Sequence, residues 1–242
     1  MLIDEMANSV EYWLKANYRA APPLLAQDAS PYRAAQRTFR ELVKRWLKRF
    51  DEAAPTVAET YLKNAFRGSD TAMRMALKDA GWTVKFTMTP AMRDAFDACL
   101  AENVGLIKSI PQQYLLQVEG IVSRSYTAGR DLPAMVKALQ ALYPKTADRA
   151  YLIARDQSNK ANATVQKARQ QELGITEFQW LHSHAGKEPR STHVAMNGKR
   201  FPVSQGAWDS KEGAYVFPGE LINCRCVSRS ILPWTPALPD KK

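Results

Sequence analysis

Apolar residues recur every three or four positions along most of the chain up to Gly174, and after it the period shortens to two. In "YRAAQRTFRELVKRWLKRF", Phe39, Leu42, Val43, Trp46, Leu47 and Phe50 make one apolar stripe at helical spacing. Ser30 followed by Pro31 predicts the start of that helix, a capping side chain and then a proline in the first turn. A second helical block, "TAMRMALKDAGW", closes at Gly81, a residue suited to a helix C-terminus. "KFTMTPAMRDAFDACLAENVGLIKSI" predicts a new helix that starts at Thr89-Pro90 and ends near Pro111. "PQQYLLQVEGIVSRSYTAG" and "DLPAMVKALQALYP" follow, punctuated by Gly129 and Pro144. "KTADRAYLIARDQSNKANATVQKARQQELG" then predicts a long helix capped by Thr146 and closed by Gly174.

Beyond Gly174 the pattern is that of short strands. "ITEFQWLHSH" alternates, which puts Phe178, Trp180, His182 and His184 on one strand face and Gln179, Leu181 and Ser183 on the other. Asn197-Gly198 in "HVAMNGKRFPV" is a strong short-range hairpin signal between two strands. These elements predict an α+β chain: a mainly helical N-terminal region and then a small α+β module with short antiparallel strands and hairpins. We place the helical region at 1–140, the module at 141–234, and a loose, proline-rich and charged tail at 235–242. The chain shows no internal repeat and no low-complexity tract.

Composition narrows the class. A hydrophobic share of 45% over 242 residues suffices for a sizeable core. No apolar run reaches the length of a membrane helix, and "MLIDEMANSVEYW" lacks the plan of a signal peptide. The expectation is a soluble protein made in the cytoplasm, with no membrane partner. The formal net charge of +10 favours polyanions as partners, nucleic acid first. Arg33, Arg37, Arg40, Lys44 and Lys48 share the side of their helix opposite the apolar stripe, with Glu41 the only acid among them. That face is the candidate DNA contact. The plainer reading is the solvated face of an ordinary bundle helix.

The candidate chemistry lies near the end of the chain. All 3 histidines, His182, His184 and His193, fall in one short stretch, and 2 of the 3 cysteines are Cys224 and Cys226. The other, Cys99, lies in a helical pattern and reads as a small packing residue. Structural zinc is one reading, through His193, Cys224, Cys226 and a fourth ligand from His182 or His184. We take His184, His193, Cys224 and Cys226 as the candidate set. The spacing is not that of a zinc knuckle, since no Cys-x-x-Cys occurs. A catalytic reading uses the histidines as acid and base with Arg190 stabilising a phosphate transition state, or a cysteine nucleophile with a histidine base. No flanking motif fixes a nucleophile or an acid. Hydrogen-bonded structural histidines and packed thiols are the simpler account.

From Ala147 to Ser230 the residues carry a resemblance. "RAYLIARDQSNKANATVQKARQQELGITEFQWLHS", "RSTHVAMNGKRF" and "FPGELINCRC" together resemble the phage Mu F-type head morphogenesis family of tailed phages and prophages. Carried over residue by residue, the family pattern picks out Ala154, Arg155, Asn162, Gly174, Trp180, Arg190, His193, Gly198, Phe201, Pro218, Gly219, Asn223, Cys224, Arg225 and Cys226. In one place this chain departs from it: "LHSHAGKEPRSTH" has His184 where many members carry an aspartate, and Lys187 and Pro189 where arginine-rich residues are common. The resemblance implies a minor head (capsid) protein of a tailed phage or prophage, working in head morphogenesis at the portal vertex. The implied partners are the portal protein, capsid or scaffold proteins, and double-stranded DNA bound without sequence preference. The implied place is the virion, after synthesis in the bacterial host cytoplasm. It implies no enzyme and no cofactor, with structural zinc the one the residues themselves allow. The alternative is a phage-encoded nuclease or nucleotide-transferring, toxin-like enzyme using His193 and Arg190.

Overall fold

The computed structural model describes residues 2–20, 31–129, 131–184 and 188–232. The described elements are, in order, α1 (Leu2–Ala20), α2 (Pro31–Asp79), α3 (Pro90–Thr127), α4 (Leu132–Glu172), β1 (Glu177–Leu181), α5 (Ser191–Met196), β2 (Arg200–Pro202), β3 (Ala207–Asp209), β4 (Ala214–Val216) and β5 (Val227–Ile231). The α+β class expected from the pattern holds: long helices first, then a small module of short antiparallel strands. No helix among the described residues is long and apolar enough to cross a membrane.

The chain divides into two compact units, each drawn from separate stretches. Met1–Ala58 and Asn103–Ile153 form the first; Glu59–Glu102 and Ala154–Lys242 form the second. Helices α2, α3 and α4 each contribute to both. In the first unit, four helical segments surround a core that includes Met6, Val10, Leu14, Phe39, Leu42, Trp46, Phe50, Val118, Leu139 and Leu142. Phe39, Leu42, Trp46 and Phe50 are the buried members of the predicted stripe, at a 3–4 residue spacing that keeps them on one side of α2.

The second unit holds the sheet. β1 is its central strand, antiparallel to β2 on one side and to β5 on the other. Phe178 and Trp180 are fully buried in the core with Phe217, Val216, Cys224 and Cys226. The residue between them, Gln179, is also buried, so the strand is covered on both faces. On the helix side the contact is polar: Gln170 of α4 donates to Ser230 Oγ at 3.0 Å, and Ser228 Oγ donates to Gln166 at 2.8 Å. β3 and β4 form a separate hairpin, Ala207↔Val216 through Asp209↔Ala214. Arg169, in a polar stretch of α4 with no mark of its own in the sequence pattern, is only 2% exposed and anchors the helix. Its guanidinium binds both Asp70 oxygens, at 2.8 and 2.9 Å, and donates to the Thr87 carbonyl at 2.7 Å and to Glu172 at 2.6 Å.

Several expected boundaries are confirmed by their cap geometry. Thr89 Oγ1 accepts the Met92 N–H at 3.2 Å ahead of Pro90, an N-cap with proline at the first helical position. Gly81 and Gly174 have φ of +88° and +68°, and each is followed by a backbone bond that closes the preceding helix, Trp82 N–H to Leu77 O and Ile175 N–H to Gln170 O.

Other boundaries are corrected. Neither Pro111 nor Pro144 ends a helix; α3 and α4 run through them. A proline removes one helical hydrogen bond, while buried Ile110, Tyr114 and Leu115 beside Pro111, and Leu139 and Leu142 before Pro144, hold the adjoining turns in the core. Thr146 is therefore no cap; it is buried inside α4, with its hydroxyl donating back to the Leu142 carbonyl at 3.2 Å. Asp131 caps that helix, accepting the Ala134 N–H at 2.9 Å. Asn197-Gly198 does not sit in a two-residue hairpin. It follows α5, with Asn197 at φ −54°, ψ 132°, Gly198 at φ +79°, and Lys199 N–H bonded to Met196 O at 3.0 Å. That is type II geometry, whereas tight hairpins take the mirror-image turns. β1 stops at Leu181, so His182 and His184 are not on its face, and His184 turns away at φ 53°. Ser30 and the tail 235–242 lie outside the described residues.

Candidate functional site

His193 lies on the short helix α5, and its imidazole is buried edge-on to the Trp180 indole, with 4.9 Å between centroids. Nδ1 is 3.4 Å from Cys224 Sγ and 3.7 Å from Cys226 Sγ. Nε2 is 3.2 Å from Asp209 Oδ2, but off the line of a good hydrogen bond. The donor atoms of His193, Cys224 and Cys226 all fall within 4.8 Å of one another, and all three side chains are buried.

The loop that carries the cysteines is held by the helical part of the motif. Asp156 Oδ1 accepts the Asn223 N–H at 2.7 Å, Arg155 donates to Asn223 Oδ1 at 3.0 Å, and Asn159 donates to the Cys224 carbonyl at 2.8 Å. Residues 155, 156 and 159 share one side of α4 because three or four positions make about one turn. Asn223 accepts a left-handed φ of 60°, and Gly219, at φ +89°, lets its backbone come against α4: a Cβ there would lie 3.2 Å from the Asn159 carbonyl oxygen. Gly219 N–H also donates to Cys224 Sγ at 3.3 Å. Arg190 ties the loop from the other end, donating to the Ile222 carbonyl at 3.0 Å, with Nε 3.7 Å from Glu212.

The electrostatics follow from these contacts. Cys224 is held well below the ordinary thiol range, first by its hydrogen bond with Cys226 and then by His193 and the Gly219 N–H, against the opposing effect of burial. The same pairing, with burial, pushes Cys226 up. Burial acts to raise Asp209, but the Lys211 N–H, the Thr192 hydroxyl and the Glu212 N–H outweigh it and keep the carboxyl below its usual range. Burial lowers His182, helped by the charges of His184 and His193.

Of the proposed ligand set, His193, Cys224 and Cys226 come together and His184 does not. His184 is exposed and stacks edge-on against His182 at 4.6 Å, its N–H donating to His182 Nδ1 at 3.2 Å. Asn162, Pro218, Arg225 and Cys226 line a cavity of about 340 Å³ within the second unit, together with Ser69 and Asn159. His193 and Asp209 are not part of its wall. Trp180 packs on His193 and Phe201, and Gly198 makes the turn after α5. Ala154 and Gly174 lie in and just after α4, while Pro189 is exposed and Lys187 falls outside the described residues. Arg33, Arg37, Arg40, Lys44 and Lys48 are all exposed on α2 in the first unit; Lys44 is 3.1 Å from Glu41 and Lys48 3.8 Å from Glu52. Sequence reasoning missed Asp209, Asp156 and Asn159. The signal for Asp209 was "DSKEG", an aspartate that accepts the N–H groups of the turn behind it.

Residues 117–229 match the family described as Phage Mu protein F like protein. An uncharacterized protein of Haemophilus influenzae (strain ATCC 51907 / DSM 11121 / KW20 / Rd) is 35% identical over 147 residues, covering 60% of this chain and 31% of that protein. The chain thus spans about a third of the relative's length. No solved structure matches the chain. The match over residues 117–229 takes in nearly all of the stretch, Ala147 to Ser230, whose motifs carried the resemblance to that family.

Proposed function

We propose that this chain is a minor head protein of a tailed phage or prophage, acting in head morphogenesis at the portal vertex and carried in the virion. Its partners in this reading are the portal protein, capsid or scaffold proteins, and packaged double-stranded DNA held through phosphate contacts. The family match supports the head-morphogenesis part. The observation that carries a structural rather than a metabolic role is the use the motif residues make of one another. Arg155, Arg190, Asn223 and His193 spend their polar groups on the Cys224–Cys226 loop and its neighbours. Co-expression with the portal protein tests the reading: the two should co-purify through a column and a gradient. Separate elution at every salt concentration would remove the portal from the proposal.

A second reading has one observation behind it. His193 has thiols on one side and a carboxylate on the other, the order of a nucleophile, a base and its orienting acid. Against it, the 340 Å³ cavity reaches Cys226 but neither His193 nor Asp209. Turnover of DNA, RNA or a nucleotide that vanishes in both His193→Ala and Arg190→Ala would favour the enzyme.

A further inference from the structure

We infer that His193, Cys224 and Cys226 bind one zinc ion, with Asp209 fixing the imidazole from behind, and that this ion fastens α5 and the Cys224–Cys226 loop together. The inference does not depend on the role in head assembly.

The donor set is of the right kind, two thiols and one imidazole nitrogen, which suits a borderline-soft divalent ion such as zinc far better than magnesium or calcium. The distances fit as well. Zinc–sulfur bonds of about 2.3 Å and zinc–nitrogen bonds of about 2.0 Å set tetrahedral nitrogen–sulfur separations of about 3.5 Å. The two observed values are 3.4 and 3.7 Å. Both cysteines approach the same nitrogen, Nδ1, and the other nitrogen faces Asp209. A carboxylate behind a ligating histidine sets its tautomer and raises its basicity. Asp209 is itself immobilised, 0% exposed and bonded to Thr192 and to two backbone N–H groups. The Gly219 N–H to Cys224 Sγ bond places a positive dipole on a sulfur that would carry negative charge as a ligand.

Burial argues the same way. A hydrogen-bonded thiol pair and an imidazole in an apolar core give little directional energy on their own, whereas an ion uses all three.

The test is metal analysis of the full chain purified without chelator or affinity-metal columns. We expect about one zinc per chain, and on exchange with cobalt an intense visible band of tetrahedral type with sulfur-to-cobalt charge transfer in the near ultraviolet. Less than a tenth of an equivalent of metal, or a cobalt spectrum without the charge-transfer band, overturns the site. Cys224→Ser and His193→Ala risk unfolding, so the decisive variant is Asp209→Asn, which retains all three ligands. Competition against a chromophoric chelator should show its zinc affinity down by about 10–100-fold; an unchanged affinity in a folded variant overturns the place given to Asp209.

Discussion

At the scale of single residues, the second unit depends on a few positions where one side chain or its absence decides the local geometry. Gly206 precedes β3 at φ +88°, and a Cβ there would lie 2.7 Å from the Val216 carbonyl oxygen. Gly213 also has a positive φ, +65°, but a Cβ on it would meet nothing within 4 Å. Backbone strain alone costs about 1 kcal/mol in either case, and only Gly206 adds a clash with backbone. Gly206→Ala should therefore lose about 2–4 kcal/mol in chemical denaturation, and Gly213→Ala about 1 kcal/mol. Equal losses would mean that the β3–β4 hairpin shifts freely. Asp209 and Arg169 teach a related lesson. Each is a charged residue in a polar stretch of sequence, yet they are 0% and 2% exposed. Besides local partners, Lys211 and Glu212 for one and Glu172 for the other, each meets groups farther along the chain, Thr192 and His193 or Asp70 and Thr87, and the pattern of the sequence does not show those.

At the scale of elements, the helices were legible and their lengths were not. Periodicity located α2, α3 and α4, and the Thr89 cap and the Gly81 and Gly174 termini were read correctly. Pro111 and Pro144 misled because proline acts on one turn, while packing acts on every turn around it. Pro144 is exposed, so replacing it offers a clean test. Pro144→Ala restores a backbone donor and removes the ring's clash, worth up to about 3 kcal/mol in a helix, and gives back about 1 kcal/mol of unfolded-chain entropy. The net expectation is a stabilisation of about 1–2 kcal/mol, visible as a higher Tm. A lower Tm would show that the core requires a bend at that turn. The strands were harder. β1 alternates in sequence but is covered on both faces, and α5 occupies a stretch read as a strand because its six residues are too short for helical periodicity to show.

At the scale of the whole molecule, the net charge of +10 is the property most relevant to partners. Arg33, Arg37, Arg40, Lys44 and Lys48 are exposed, and the ion pairs of Lys44 and Lys48 with Glu41 and Glu52 are surface pairs that a phosphate can displace at little cost. Reversing Arg37, Arg40 and Lys44 to glutamate should weaken retention on double-stranded DNA. It should also lower the slope of log affinity against log salt by about 2–3, close to one per lost phosphate contact. An unchanged slope would move the contact elsewhere, with Lys199, Arg200 and Arg225 next in line. The two compact units add a constraint that no linear reading could supply. Each is assembled from stretches far apart in sequence, so a boundary of pattern near residue 140 and a boundary of packing are different things.

The order of residues by itself determined the class of the chain, the positions of its long helices, and the motif blocks that match the Phage Mu protein F like family, because those signals are local or repeat at short range. It also named His193, Cys224 and Cys226 as residues that could act together. Only the tertiary structure decided that they do meet, that His184 stays outside, and that Asp209 stands behind the imidazole. Those outcomes depend on where β1 ends, how α5 turns at Gly198, and how Arg155, Asp156 and Asn159 seat the cysteine loop on α4. The meeting of His193 with Cys224 and the seating of the loop on α4 are contacts across 31 to 68 residues, set by burial and hydrogen bonding that the spacing of the letters does not encode.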